Sequence, residues 1–171
     1  MWEFCFNHDW KRAGEIARKI LDKNIKDQSA YSNLAYSQWE AGDFEGAVQI
    51  SEKYLEIDPT NASIYNDLAY SYAFQKRYPA AISAAKKYIA LYPDTWNTYD
   101  TAWEISLLAG LYDEAIGFAE MAKKRNTAWS YFDSHIGRAL IHKGEFDRAR
   151  QILFPLAKVN SDYGRVATRL I

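Results

Sequence analysis

The hydrophobic positions of this chain fall into columns spaced 34 residues apart. Ala13, Ala47, Ala81, Ala115 and Ala149 share one column, and an aromatic stands three residues before each: Trp10, Phe44, Tyr78, Tyr112 and Phe146. A ring at i and a methyl at i+3 lie on one helix face, so the ring packs beside a gap into which a neighbouring helix fits. Turn-forming residues precede three of the rings, as Ala41-Gly42-Asp43, Ala109-Gly110-Leu111 and Lys143-Gly144-Glu145. Glycine there takes the left-handed conformation that ends one helix, and Asp43 or Glu145 sets negative charge near the start of the next. Farther on, Asp58-Pro59-Thr60-Asn61 and Tyr92-Pro93-Asp94-Thr95 stop the second helix, because proline cannot continue it and disfavours helical backbone in the residue before it. The pattern predicts a helical hairpin per 34 residues. Full units span 28–61, 62–95, 96–129 and 130–163, after a partial unit at 1–27 and before a helix stub at 164–171, all in one array over 1–171.

These residues resemble the tetratricopeptide repeat family, whose loose pattern is an aromatic, Leu and a small residue, a helix-ending Gly, an aromatic, Ala and finally Pro. Residues 28–61 supply Tyr31, Leu34, Ala35, Gly42, Phe44, Ala47 and Pro59; residues 62–95 supply Tyr65, Leu68, Ala69, Tyr78, Ala81 and Pro93. The third full unit keeps Tyr99, Gly110, Tyr112 and Ala115, and the fourth Ile136, Gly137, Gly144, Phe146 and Ala149. The resemblance implies an all-α fold, a right-handed superhelical solenoid of antiparallel helix hairpins. It also implies that first helices line a concave groove, which nominates Tyr36 and Trp39, then Asn66, Asp67, Tyr70 and Phe74, then Asn97, Asp100 and Glu104, and last His135 and Arg138. Ser29, Ser32, Asn33, Ser63, Ala73, Thr101 and Ser134 fall on the same face.

Departures from the pattern carry their own expectations. Ala102-Trp103 replaces the Leu-small pair, so the hairpin opens there or its helix turns by one residue. Phe132 takes the place of the first aromatic, where Asp133 stands in register. Pro155 falls inside a second helix and is expected to kink or break it near Phe154, whereas Pro79 sits harmlessly in a first turn. Thr127 and Ser161 replace the closing proline and are expected to cap the helices that follow.

Composition narrows the function. Against 21 Lys+Arg stand 22 Asp+Glu, a formal net charge of -1, and the groove positions contain more carboxylates than arginines. Nucleic-acid binding is therefore disfavoured, since it rests on clustered positive charge. No apolar run is long enough to cross a membrane. The lone Cys5 and the absence of a basic leader fit a cytoplasmic protein. No cofactor motif is present: the chain lacks GxxxxGK[ST], GxGxxG and HExxH. His135 and His142 are seven residues apart, two helical turns, too far to grip one metal. The expectation is a non-catalytic interaction scaffold without cofactor, binding a peptide segment of a partner protein in an aromatic, mildly acidic groove. A second reading is a targeting or regulatory segment of a larger kinase, transferase or secretion assembly. Some members of the family clamp a chaperone's C-terminal carboxylates, but the matching positions Ser32, Tyr36, Asp67, Asn97 and Thr101 hold no cation, so that recognition is not expected. Trp2, Phe4 and Phe6 at one end, with Val166, Leu170 and Ile171 at the other, suggest end-to-end self-association.

Overall fold

The computed structural model describes residues 9–125 and 131–157; the predicted stubs, Cys5, Thr127 and Ser161 lie outside the described residues. Among the described residues the chain forms α-helices and no strand. They gather into two compact units, 1–91 and 92–171. The first contains α1 (Trp10–Leu21), α2 (Gln28–Glu40), α3 (Phe44–Leu55), α4 (Ala62–Phe74) and α5 (Tyr78–Leu91). The second contains α6 (Trp96–Leu108), α7 (Tyr112–Arg125), α8 (Tyr131–Lys143) and α9 (Phe146–Ala157). Within each unit every helix packs against its neighbours in the chain. This is the all-α repeat architecture that the 34-residue period predicts.

The period is visible in atomic detail. All five column alanines are at most 1% exposed, so each methyl marks a place where two helices meet. The turn within each hairpin is the same in four copies. Gly42 donates to Trp39 O and Asp43 to Gln38 O; Lys76 to Ala73 O and Arg77 to Tyr72 O; Gly110 to Leu107 O and Leu111 to Ser106 O; Gly144 to Ile141 O and Glu145 to Leu140 O. This paired 5→2 and 6→1 bonding satisfies carbonyls that the helix leaves over, and it needs a left-handed residue. Glycine fills that place in three copies, with φ between 75° and 86°, and Lys76 takes it in the fourth at φ 60°.

Helix starts repeat as well. Asp9 and Asp43, 34 apart, accept from Arg12 N and Gly46 N to cap α1 and α3. Asp27 and Asn61, again 34 apart, accept from Ala30 N and Ile64 N to cap α2 and α4. Tyr65 and Tyr99 donate to the carbonyls of Pro59 and Pro93, tying the first-helix aromatic to the loop before it. Successive hairpins of the first unit are further joined where the Tyr72 hydroxyl donates to Glu52, and where Arg77, over the Tyr72 ring, pairs with Glu45.

Two departures from the repeat pattern are accommodated within helices. The helix α9 runs through Pro155 to Ala157 instead of breaking at Phe154. Proline removes one backbone donor there, and the helix carries that single loss without ending at it. At Trp103 the helix neither ends nor exposes its indole, which is 3% exposed and donates from Nε1 to His135 O of the next hairpin. Ala119, one repeat before Leu153, is buried in the same hairpin and presents only a methyl. In the following hairpin the sizes are exchanged. Gly137 takes the place of Trp103 and Leu153 that of Ala119, and a Cβ on Gly137 would meet Leu153 Cδ2 and Cγ at 2.5 Å. Phe132 is fully buried in place of the missing aromatic, while Asp133 is paired with Lys123 at 2.5 Å.

Candidate functional site

In the first unit the first helices α2 and α4 and the start of α1 enclose a cleft of about 550 Å³. Its aromatic wall is Trp10 and Tyr36, its hydroxyls come from Ser29, Ser32 and Ser63, and Gln28 and Asn33 add amides. Among the described residues Asp67 is the one charged residue on the lining. A carboxylate taken partly out of water loses solvation that the neutral acid hardly needs. Desolvation accordingly pushes the Asp67 carboxyl up to about 7, partly opposed by a hydrogen bond from the Asn66 side chain. Among the described residues no lysine, arginine or histidine pairs with it.

From this cleft an aromatic path runs along the unit. The Trp10 and Tyr36 rings meet edge to face at 4.7 Å, and Tyr36 stacks on Trp39, three residues on, at 5.8 Å. Trp39 in turn meets Phe74 of α4 at 5.1 Å, and Phe74 stacks on Phe44. Tyr36 and Phe74 remain 45% and 51% exposed, so the path ends in accessible rings at both helices. The Trp39 Nε1 is buried and has no acceptor among the described residues.

The second unit gathers a different cluster. His135 is 3% exposed, with Nε2 2.8 Å from Asp100 Oδ1. Its ring lies 3.6 Å from that of Trp103 and 4.2 Å from that of Tyr131, while Arg138 stands over the other part of Trp103 at 5.1 Å. The buried imidazole and indole, with the partly exposed Asp100 carboxylate, here lock α6 to α8. His142 stacks instead on Tyr112, so the two histidines face different neighbours.

The structure thus sorts the residues predicted for the groove. It brings Tyr36, Asp67, Ser29, Ser32, Asn33 and Ser63 together in one cleft. Trp39 and Phe74 meet beside it, and Asn66 and Tyr70 are half-buried on α4. In the second unit Asn97, Glu104 and Arg138 are exposed, whereas His135, Thr101 and Ser134 are buried, as is Ala73 in the first. Sequence reasoning missed Gln28 and, more consequentially, Trp10. Its signal was present in the aromatic column, because the equivalent Phe44 also reaches the next hairpin's first helix. Among the described residues no helix is long and apolar enough to cross a membrane.

Comparison with known proteins agrees with this architecture. Two family models, each described as a tetratricopeptide repeat, match residues 6–62 and 38–102. No curated protein matches the sequence significantly. Among solved structures, MamA (residues 41 to the end) from Desulfovibrio magneticus RS-1 is similar with a TM-score of 0.78 at 13% identity, covering 92% of this chain and 89% of that one. The thermophilic TPR protein TTC0263 of Thermus thermophilus gives 0.72 at 16% identity, covering 98% and 93%. YrrB, described as a TPR protein with an unusual peptide-binding site, gives 0.70 at 19% identity, covering 92% and 83%. At these identities the likeness is one of fold, and with the two overlapping repeat matches it leads to one conclusion: the chain belongs to the tetratricopeptide repeat family.

Proposed function

We propose that this repeat scaffold holds an extended segment of a partner protein against the first helices of its first unit. The observation that carries this reading is the cleft walled by Trp10 and Tyr36 with hydroxyl, amide and carboxyl groups converging on it. Rigid rings offer contact area at little entropic cost, and hydroxyls and amides bond a peptide backbone in either sense. A mixed apolar and polar concavity of this size is the usual form of a binding site. The peptide-binding site ascribed to YrrB, a neighbour in fold, adds support by analogy.

The test is affinity purification from the native host with the intact chain and with Ser63→Trp, which fills the cleft from an exposed position. Proteins retained by the parent and lost with the variant are the expected outcome. An unchanged set of partners would place the interaction elsewhere on the molecule.

A further inference from the structure

We propose that the cleft of the first unit is a subsite for one cationic side chain, a lysine or arginine of the bound partner segment, received by the Asp67 carboxylate against the Trp10 and Tyr36 wall. The inference rests on the peptide-binding reading above and gives it a sign of charge.

Three observations converge. Among the described residues Asp67 is the one charged residue on the lining, so the charge complementarity of the cleft is to a cation. No lysine or arginine among the described residues lines it, so a terminal carboxylate or a phosphorylated residue would find no counter-charge from them. Among the described residues nothing cationic neutralises Asp67, although other carboxylates of the fold, such as Asp133 with Lys123 and Glu45 with Arg77, do have partners.

The surroundings suit an ammonium or guanidinium group. Such groups are donors without acceptor capacity, and the cleft supplies acceptors around Asp67 in the hydroxyls of Ser32 and Ser63 and the amide oxygen of Asn33. Aromatic rings attract cations through their faces and also cover the apolar stem of a long basic side chain. Tyr36, with nearly half its surface open, offers such a ring on the lining of the same cleft. Partial burial of Asp67 strengthens the attraction, because charges interact more strongly away from bulk water. The raised protonation range of Asp67 agrees with a carboxylate that lacks its counter-ion until a ligand arrives.

The probe is a library of random nonapeptides displayed on phage and selected on the intact immobilised chain. The expected result is enrichment of sequences sharing one basic residue at a fixed place. A synthesised representative should lose affinity about 10-fold or more on Asp67→Asn, and by a similar factor when its basic residue becomes norleucine or citrulline. For the neutral peptide, Asp67→Asn should then change affinity less than about 2-fold, since the pair is already broken. Asn is close to Asp in size, and an unchanged circular dichroism spectrum confirms that the variant folds.

Peptides that lose binding on Ser63→Trp yet bind Asp67→Asn as tightly as the parent would overturn the cationic subsite while leaving the groove intact. Peptides indifferent to Ser63→Trp, or no enrichment at all, would overturn both readings. Free lysine or spermidine binding as tightly as the peptide would overturn the assignment to a protein segment.

Discussion

Replacing Gly137 by Ala sets two effects of opposite sign against each other. On an isolated helix the change is favourable by about 1 kcal/mol, because glycine loses more backbone freedom on folding than alanine. In α8, however, the added Cβ would lie 2.5 Å from Leu153 Cδ2, 2.5 Å from Cγ and 2.9 Å from Cδ1. Leu153 is 1% exposed and has little room to retreat, so most of its branched end must shift. Overpacking of a closed core costs about 1–3 kcal/mol. With three atoms in conflict the upper part of that range applies, and the net loss after the propensity gain is about 1–2 kcal/mol. For a chain of this size that lowers the melting temperature by about 3–8 °C. Thermal and urea unfolding followed by circular dichroism provide the measurement. The companion variant Leu153→Ala alone should cost about 2–5 kcal/mol through its cavity. Combined with Gly137→Ala it should cost less than the sum of the two, because the new methyl then occupies vacated space. A Gly137→Ala protein more stable than the parent, or strict additivity in the double variant, would refute the claim that this glycine is there for close approach.

Other outcomes follow from the caps, the turns and the cleft. Lys76→Gly should stabilise by about 0.5–1 kcal/mol in urea denaturation, since a left-handed β-carbon is strained and three of the four equivalent positions already use glycine. Asp27→Ala should cost about 1 kcal/mol by removing the acceptor for Ala30 N, and Asp27→Asn should restore most of it. Asp67 keeps its proton up to about pH 7 in the folded chain but loses it near 3.8 when unfolded, so folding takes up a proton in that window and this group's contribution to stability declines as pH rises through it. Asp67→Asn should therefore gain stability relative to the parent between pH 5 and pH 8, and urea midpoints that differ equally at both values would contradict the desolvation. Trp103→Ala should cost about 3–5 kcal/mol, as expected for a buried indole that also bonds His135 O.

The hairpins were legible because their cues are local. Gly42, Gly110 and Gly144 mark turns that need one left-handed residue, Asp43 caps the helix that follows it, and the alanine column records where helices touch. The path of α9 through Pro155 was less so, since a proline costs one backbone donor and the surrounding packing decides whether the helix carries that loss. Lys76 hid a turn because the backbone demand was met without the residue that usually announces it. For the candidate site, the helix face was readable but burial was not. His135 and Asp67 share a groove-facing register, yet one is sealed by Trp103 and Tyr131 while the other lines a cleft. That difference is decided by the sizes of side chains one repeat away, such as the exchange of Trp103 and Ala119 for Gly137 and Leu153, which no single motif expresses.

Packing each helix chiefly on its neighbours in the chain and on the adjoining hairpin also governs how a unit responds to force. Because these contacts join adjacent hairpins, tension along the chain is resisted by successive interfaces instead of by one shared core. Stretched between its termini, each unit should yield hairpin by hairpin at modest load. On release it should rewind quickly, because every contact to be remade lies within a short span of chain. Such a molecule behaves as a soft spring, able to lengthen without surrendering the hairpins that are not under strain.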